Sequence, residues 1–199
     1  MKTVAITQCV DKLADRDERR DALDANWSKL LRAGRCLAVP MPNDAQSAVG
    51  LWHTAHCEGL ILSGGNDLVA YGGDAPERDE TEAQLLELAL THGTPVLGVC
   101  RGMQFLVAQA GGKLHRVEDH IAVRHRLDNG REVNSYHGWA AQTCPPGWRP
   151  LAHSADGVLE MMRHRHARWL GIMWHPERSL PFAAEDVRLI EDWFHATQP

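Results

Sequence analysis

A chain of 199 residues with 44% hydrophobic and 24% charged residues has the make-up of one globular domain, and its net charge of −5 argues against a general nucleic-acid binder. No apolar run approaches the roughly 20 residues that a bilayer-spanning helix needs, so no membrane partner is expected. Five scattered cysteines form no paired framework, which fits a reducing cytoplasm.

In chain order, residues 3–8 are the first expected strand, a reading that excludes a secretory leader there. A helix follows with Leu23, Trp27, Leu30 and Leu31 on one face and stops at Gly34. Between the two, Arg16, Arg19 and Arg20 lie either beside a ligand crevice or on the solvated start of a helix. Residues 36–40 are the second strand, 43–56 a helix and 59–62 the third strand, which runs into Ser63-Gly64-Gly65. Residues 78–92 read as a helix capped by Asp79, with Glu82 placed for a capping box and Gly93 as terminator. Arg78 opens that helix beside the glycine pair, where it either touches a ligand or braces the loop. Residues 95–99 read as a buried strand and 103–110 as a helix ended by Gly111-Gly112. Shorter strands are expected over 113–117, 132–136, 150–155 and 158–163, then a strand over 169–174 and a closing amphipathic helix over 184–195. The alternation predicts an α/β fold: one domain over 1–199, a parallel or mixed sheet covered by helices on both faces.

Three of these strand ends carry chemistry, and ligand crevices of open parallel sheets lie at such ends. Gly98-Val-Cys100-Arg-Gly102 has the spacing of a nucleophile elbow with Cys in place of Ser. A strand turning sharply into a helix presents Cys100 at the helix N-terminus, which favours the thiolate. The competing reading is a small core cysteine between two packing glycines. Trp174 is followed by His175-Pro176-Glu177. His175 would be the base, held by Pro176, and Glu177 can accept its second ring N–H. Gly64 and Gly65 let backbone N–H groups approach a developing oxyanion.

In these motifs the chain resembles the class I glutamine amidotransferase-like superfamily, of flavodoxin-like fold. Within it the similarity is to the γ-glutamyl hydrolase branch, peptidase family C26. The residues that carry the resemblance are Leu62-Ser-Gly-Gly65, Gly98-Val-Cys-Arg-Gly-Met-Gln104, Val133-Asn-Ser-Tyr-His137 and His175-Pro-Glu177. The resemblance implies a catalytic triad of Cys100, His175 and Glu177, with the N–H groups of Gly65 and Arg101 as oxyanion hole. It further implies that Gly64, Gln104, Asn134, Ser135, Tyr136 and His137 surround a γ-glutamyl group. The branch often carries Gln two residues past that last histidine, where this chain has Trp139. The activity implied is cysteine-dependent release of glutamate from a small γ-glutamyl conjugate, with no cofactor. The alternatives are a glutaminase subunit feeding ammonia to a synthetase and a binding module on the same fold. Ile6-Thr-Gln8, Arg20-Asp-Ala-Leu-Asp24 and Trp27 are similar to γ-glutamyl-CDP-amidate hydrolases of capsular phosphoramidate synthesis. The segment after the first strand should also lie by the crevice, and it carries Arg16, Arg19 and Arg20, whose guanidinium groups suit a pyrophosphate. Arg19, Arg20 and Arg78 are therefore candidate leaving-group contacts, with γ-glutamyl-γ-aminobutyrate as the rival substrate.

The 12 histidines offer weaker signals. His53 with His56, and His164 with His166, could share a face, but no carboxylate or cysteine cluster accompanies them, so no metal is expected. His115, His120 and His125 fall in a polar segment read as a solvated loop, the alternative being the rim of the site. Trp139 and Trp174 are candidates for its wall. Nothing in the sequence bears on oligomeric state.

Overall fold

The computed structural model describes residues 1–196. The elements run β1 (Lys2–Ile6), β2 (Cys9–Leu13), β3 (Glu18–Ala22), α1 (Asn26–Ala33), β4 (Cys36–Pro40), α2 (Ala45–Thr54), β5 (Gly59–Leu62) and α3 (Pro76–Thr91). There follow β6 (Val96–Val99), α4 (Arg101–Gln109), β7 (His115–Arg116), β8 (Ile121–Arg126), β9 (Glu132–Tyr136) and β10 (Trp139–Ala140). The chain closes with β11 (Trp148–His153), β12 (Leu159–His164), β13 (Trp169–Ile172) and α5 (Ala184–His195). The fold is α/β with mixed strand directions, as the alternation of elements predicts. It divides into two compact units, one of Met1–Ile61, Gly65–Pro95 and the residues from Pro176 on, the other of Leu62–Gly64 and Val96–His175.

In the first unit β1 runs parallel to both β4 and β5, with Val4 opposite Ala38 on one side and Gly59 on the other. A strand flanked on both edges and covered on its faces needs an apolar run rather than alternation, and Val4, Ala5 and Ile6 are fully buried. Helix α1 buries Trp27, Leu30 and Leu31 of the expected stripe, but it starts at Asn26, so Leu23 lies before it. Helix α5 adds Ile190 and Phe194 to the same core. A Cβ at Gly59 would meet the Phe194 ring at 2.5 Å, and one at Gly34 would meet Ile190 at 2.7 Å. Both glycines therefore let an element approach that a side chain would hold off.

Two expectations for this unit are corrected. The segment bearing Arg19 and Arg20 is no helix start but a hairpin, β2 pairing antiparallel with β3 from Cys9–Ala22 to Leu13–Glu18. Its turn is allowed by Asp17 at φ 46°, a left-handed conformation that Asp tolerates. Helix α3 begins at Pro76 rather than at Arg78, with Asp79 inside its first turn rather than capping it, because proline already holds the first-turn φ and has no N–H to satisfy. Asp79 instead accepts from the Val69 N–H at 3.0 Å, while Glu82 is fully buried in the helix interior.

In the second unit β6 and β13 are parallel, with Cys100 N–H continuing the ladder onto the Ile172 carbonyl at 2.8 Å. β12 pairs antiparallel with β13, and β11 with β12. Gly171 lies under Met103 of α4, where a Cβ would approach the Met103 side chain to 2.7 Å. β8 and β9 form an antiparallel hairpin, and β7 pairs with β10. The solvated loop expected around His120 and His125 is corrected to this hairpin. A bulge between Ile121 and Val123, with Ala122 at φ 59°, breaks the alternation that would have marked β8 as a strand.

Candidate active site

Cys100 follows the last residue of β6 and caps α4, which starts at Arg101 rather than at Met103. Its backbone stands at φ 52° and ψ −105°, a conformation that L residues avoid and that costs on the order of 1–3 kcal/mol. The flanking glycines explain how such a bend is tolerated. A Cβ on Gly102 would fall 2.0 Å from the Leu62 carbonyl oxygen, and one on Gly98 would fall 2.7 Å from the Gly102 backbone. The Gly-x-Cys-x-Gly spacing is thus set by close strand–helix packing, and the cysteine between takes the strain. The first-turn N–H groups that follow Cys100 have no partner within the helix and carry its positive end. Arg101 is buried, with its guanidinium carbon 5.9 Å from the centroid of the Phe105 ring.

His175, in the same unit, is held from three sides. Its N–H donates to Asn134 Oδ1 at 2.8 Å, and Asn134 Nδ2 donates back to the His175 carbonyl at 2.8 Å. The Tyr136 ring meets the imidazole edge-on, with centroids 5.7 Å apart. On the remaining side the imidazole lies against Gly64, where a Cβ would sit 2.5 Å from His175 Cε1. Gly64 is a glycine because the imidazole occupies the space of its side chain.

The four expected substrate contacts on and just after β9 separate by strand alternation. Asn134 and Tyr136 point to His175. Ser135 faces the other way and donates to the His120 carbonyl at 2.6 Å, and the His137 ring stands 3.3 Å from Glu160 Oε1. Gln104 Nε2 donates to the Trp139 carbonyl at 2.7 Å. The two wall candidates are each covered by a guanidinium, Arg116 at 4.3 Å from the Trp139 ring and Arg131 at 4.6 Å from that of Trp174.

Asn134 yields a direct expectation. Asn134→Asp keeps the acceptor but replaces the donor by an anion facing the His175 carbonyl. A buried backbone group left unpaired costs about 1–3 kcal/mol, so Asp should lower stability by that amount and reduce turnover as well. Urea unfolding and steady-state rates on the purified variant measure both. Unchanged values would show that this clamp does not position His175.

The remaining candidates lie in the first unit. Gly65 stands at φ 86°, and a Cβ there would press on Cys9 Cβ at 2.9 Å. Its carbonyl accepts from Arg78, whose guanidinium also reaches Asn66 Oδ1 and Glu82 Oε1, each at 3.1 Å. Thr7 Oγ1 donates to the same Glu82 oxygen at 2.8 Å. Arg78 is fully buried in this set, so of its two expected roles the structure shows the loop brace. From the exposed hairpin, Arg19 pairs with Glu77 of α3 and the Asp74 carbonyl, and Arg20 with Glu18 of the hairpin itself at 2.6 Å. Glu177 lies in a single 3-10 turn, Pro176–Arg178, and is buried.

Among the described residues, neither histidine pair weighed from sequence stands in a cluster of three metal-ligating side chains. His56 lies past the end of α2 at φ 50°, off the face that carries His53, and His164 and His166 stand 6.1 Å apart by ring centroid. A group that sequence reading missed is His120 with His137 and Glu160. The signal available was Glu160 itself, an acid inside the apolar run Val158 to Met162, since a buried carboxylate demands partners. Beside it, burial works against the Asp156 carboxylate, but hydrogen bonds from His120 and Ser154 outweigh it and lower its pKa to about 2.

No helix among the described residues is long and apolar enough to cross a membrane. A gamma-glutamyl-CDP-amidate hydrolase of Campylobacter jejuni is 29% identical over 89% of this chain and 90% of its own length. A glutamine-hydrolysing GMP synthase of Thermosynechococcus vestitus is 31% identical, over 60% of this chain and 23% of that protein. The crystal structure of a glutamine amidotransferase from Thermotoga maritima superposes with a TM-score of 0.68 at 15% identity, covering 98% of this chain and 90% of that one. Residues 21–196 match the family described as glutamine amidotransferase class-I. The match spans the elbow at Cys100 and the turn at His175, and the chain belongs to the glutamine amidotransferase class-I family.

Proposed function

We propose that this chain hydrolyses a γ-glutamyl amide through a thioester on Cys100, with His175 as proton carrier and Glu177 as its orienter. The observation that carries the reading is the strained elbow at Cys100, at φ 52° and ψ −105°, in one unit with an imidazole set against Gly64. A structural cysteine has no reason to hold that conformation, whereas a nucleophile set on a strand–helix turn does, even one as buried as Cys100. In the proposed reaction the Cys100 thiolate adds to the side-chain carbonyl of the glutamyl group. The tetrahedral oxyanion is held by the N–H groups of Gly65 and Arg101. His175, as imidazolium, gives its proton to the leaving nitrogen as the C–N bond breaks, leaving the γ-glutamyl thioester. It then takes a proton from water, whose oxygen attacks the thioester, and returns that proton to the departing sulfur or the solvent. Glutamate and the free amine result. Thiol, imidazole and the attacking water supply every proton and electron pair, so the scheme calls for no metal or organic cofactor.

The substrate favoured is γ-glutamyl-CDP-amidate, the compound for which the Campylobacter jejuni relative is named. The hairpin β2–β3 supports the choice, because Arg19 and Arg20 are partly exposed and paired only with surface carboxylates and a carbonyl among the contacts described. A pyrophosphate can replace such carboxylates by bidentate hydrogen bonds without refolding. γ-Glutamyl-γ-aminobutyrate is the rival within the same chemistry. The relationship to a GMP synthase favours a second reading, a glutaminase that passes ammonia to a synthetase.

Glutamate release by the chain alone, measured on both conjugates and on glutamine, separates these readings. The expected result is the highest kcat/KM on the nucleotide conjugate. The double variant Arg19→Ala, Arg20→Ala should lose roughly tenfold to a hundredfold on that substrate, through KM, and nothing on the amine. Equal treatment of both conjugates by the double variant would remove the pyrophosphate assignment. Glutamine hydrolysis appearing only on addition of a synthetase would favour the second reading.

A further inference from the structure

The second unit buries a set of polar side chains that the proposed reaction does not use. His120 before β8, His137 after β9 and Glu160 in β12 each bring one ligand atom within 4.8 Å of the others. Their exposures are 2%, 3% and 0%. Glu160 Oε1 lies 3.3 Å from His137 Nε2 and 3.7 Å from His120 Nδ1. Ligand atoms held tetrahedrally at zinc–nitrogen and zinc–oxygen bond lengths of about 2.0–2.1 Å stand about 3.3 Å apart. Two of the three spacings are therefore close to those of a coordination shell.

Hydrogen bonding assigns the protons. The Asp156 carboxylate can only accept, so His120 Nε2, 2.8 Å from Asp156 Oδ2, carries the N–H. In the neutral ring Nδ1 is then a bare lone pair, and it points at the Glu160 carboxylate without a hydrogen-bond partner. Glu160 Oε2 also lacks a hydrogen-bond partner. Two facing acceptors repel in a low-dielectric interior unless a cation lies between them. Two carboxylates and two neutral imidazoles carry two negative charges, which one divalent ion cancels. A histidine whose outer N–H is held by a carboxylate while its inner nitrogen is bare is the arrangement that orients metal-binding imidazoles.

We propose that His120 Nδ1, His137 Nε2 and Glu160 bind a zinc ion, with Asp156 orienting His120. The site stands independently of the reaction proposed above. The ion ties together the start of β8, the end of β9 and β12. β9 also carries Asn134, so the metal steadies the strand that clamps His175. It leaves one coordination position for water or for the second Glu160 oxygen.

The test uses tag-free protein stripped with a chelator and titrated with Zn²⁺, and with Co²⁺ as a visible-absorption probe. One equivalent should bind, with Co²⁺ showing the d–d bands of a nitrogen–oxygen site. Glu160→Gln and His137→Gln should abolish binding. Asp156→Asn changes a partly exposed side chain, so the fold checked by circular dichroism should persist while zinc affinity falls about 10- to 100-fold. The exposed His53→Ala and His166→Ala should leave the titration unchanged. Absence of tight binding by the wild-type protein overturns the proposal. So does binding that survives Glu160→Gln, or an affinity unaltered in Asp156→Asn.

Discussion

Cys100→Ala should lower glutamate release by about 10⁴-fold or more while the protein still folds, because removing a nucleophile leaves only binding and oxyanion stabilisation. The folded state should survive because alanine fills the same position at the head of α4 with the same strain at φ 52°. Cys100→Gly would be equally inactive but more stable than Cys100→Ala, by on the order of 1 kcal/mol, since glycine accepts the left-handed conformation without a Cβ penalty. Activity assays and thermal unfolding of the two variants separate the chemical role of the sulfur from the strain of its backbone. Release near the wild-type rate by either variant would end the covalent scheme. The thiolate itself can be sought by iodoacetamide labelling near neutral pH. Burial pushes Cys36, Cys57 and Cys144 up to about 11 and also raises Cys9, so these four should react slowly. Cys100 should be labelled first, and preferential labelling elsewhere would count against an activated elbow.

His175→Ala should be nearly as damaging as loss of the nucleophile, with a fall in kcat of about 10⁴-fold or more, because the same imidazole serves the leaving group and the attacking water. Glu177→Gln should leave measurable activity, since an orienting carboxylate holds a tautomer and a charge without moving a proton of its own. A loss greater in Glu177→Gln than in His175→Ala would reverse those roles. Gly64→Ala provides a purely geometric control. Its new methyl group would meet His175 Cε1 at 2.5 Å, so the ring must move while its chemistry is untouched. A displacement near 1 Å from productive geometry costs about 100-fold, and this variant should fall by that order with little change in fold. Full activity in Gly64→Ala would mean that the imidazole works from another position.

The elements legible in sequence were those whose pattern is local. Cys36–Pro40, Gly59–Leu62, Glu132–Tyr136 and Ala184–His195 stand at the expected bounds, because apolar runs and one-sided helices carry their own period. The motifs around Cys100 and His175 were legible for a related reason, since both sit where a short strand must stop. The hairpin from Cys9 to Ala22 was not legible, as its charged strands pair only with each other and bury little apolar surface. The bulged β8 was hidden by Ala122, which shifts the register by a residue and removes the alternation.

By itself, the sequence determined the α/β class, the strand-end placement of Cys100 and His175 and the glycines beside them, since each depends on periodicity or on residues a few positions apart. The tertiary structure alone decided what those glycines are for. Gly102 makes way for the Leu62 carbonyl and Gly64 for the imidazole, contacts whose partners lie far off in the chain. It also decided which polar groups lose water. His120 and Glu160 meet across 40 residues, and Arg78 folds onto Gly65, Asn66 and Glu82. Burial of a charge is a property of everything packed around it, and no local pattern encodes that surrounding volume.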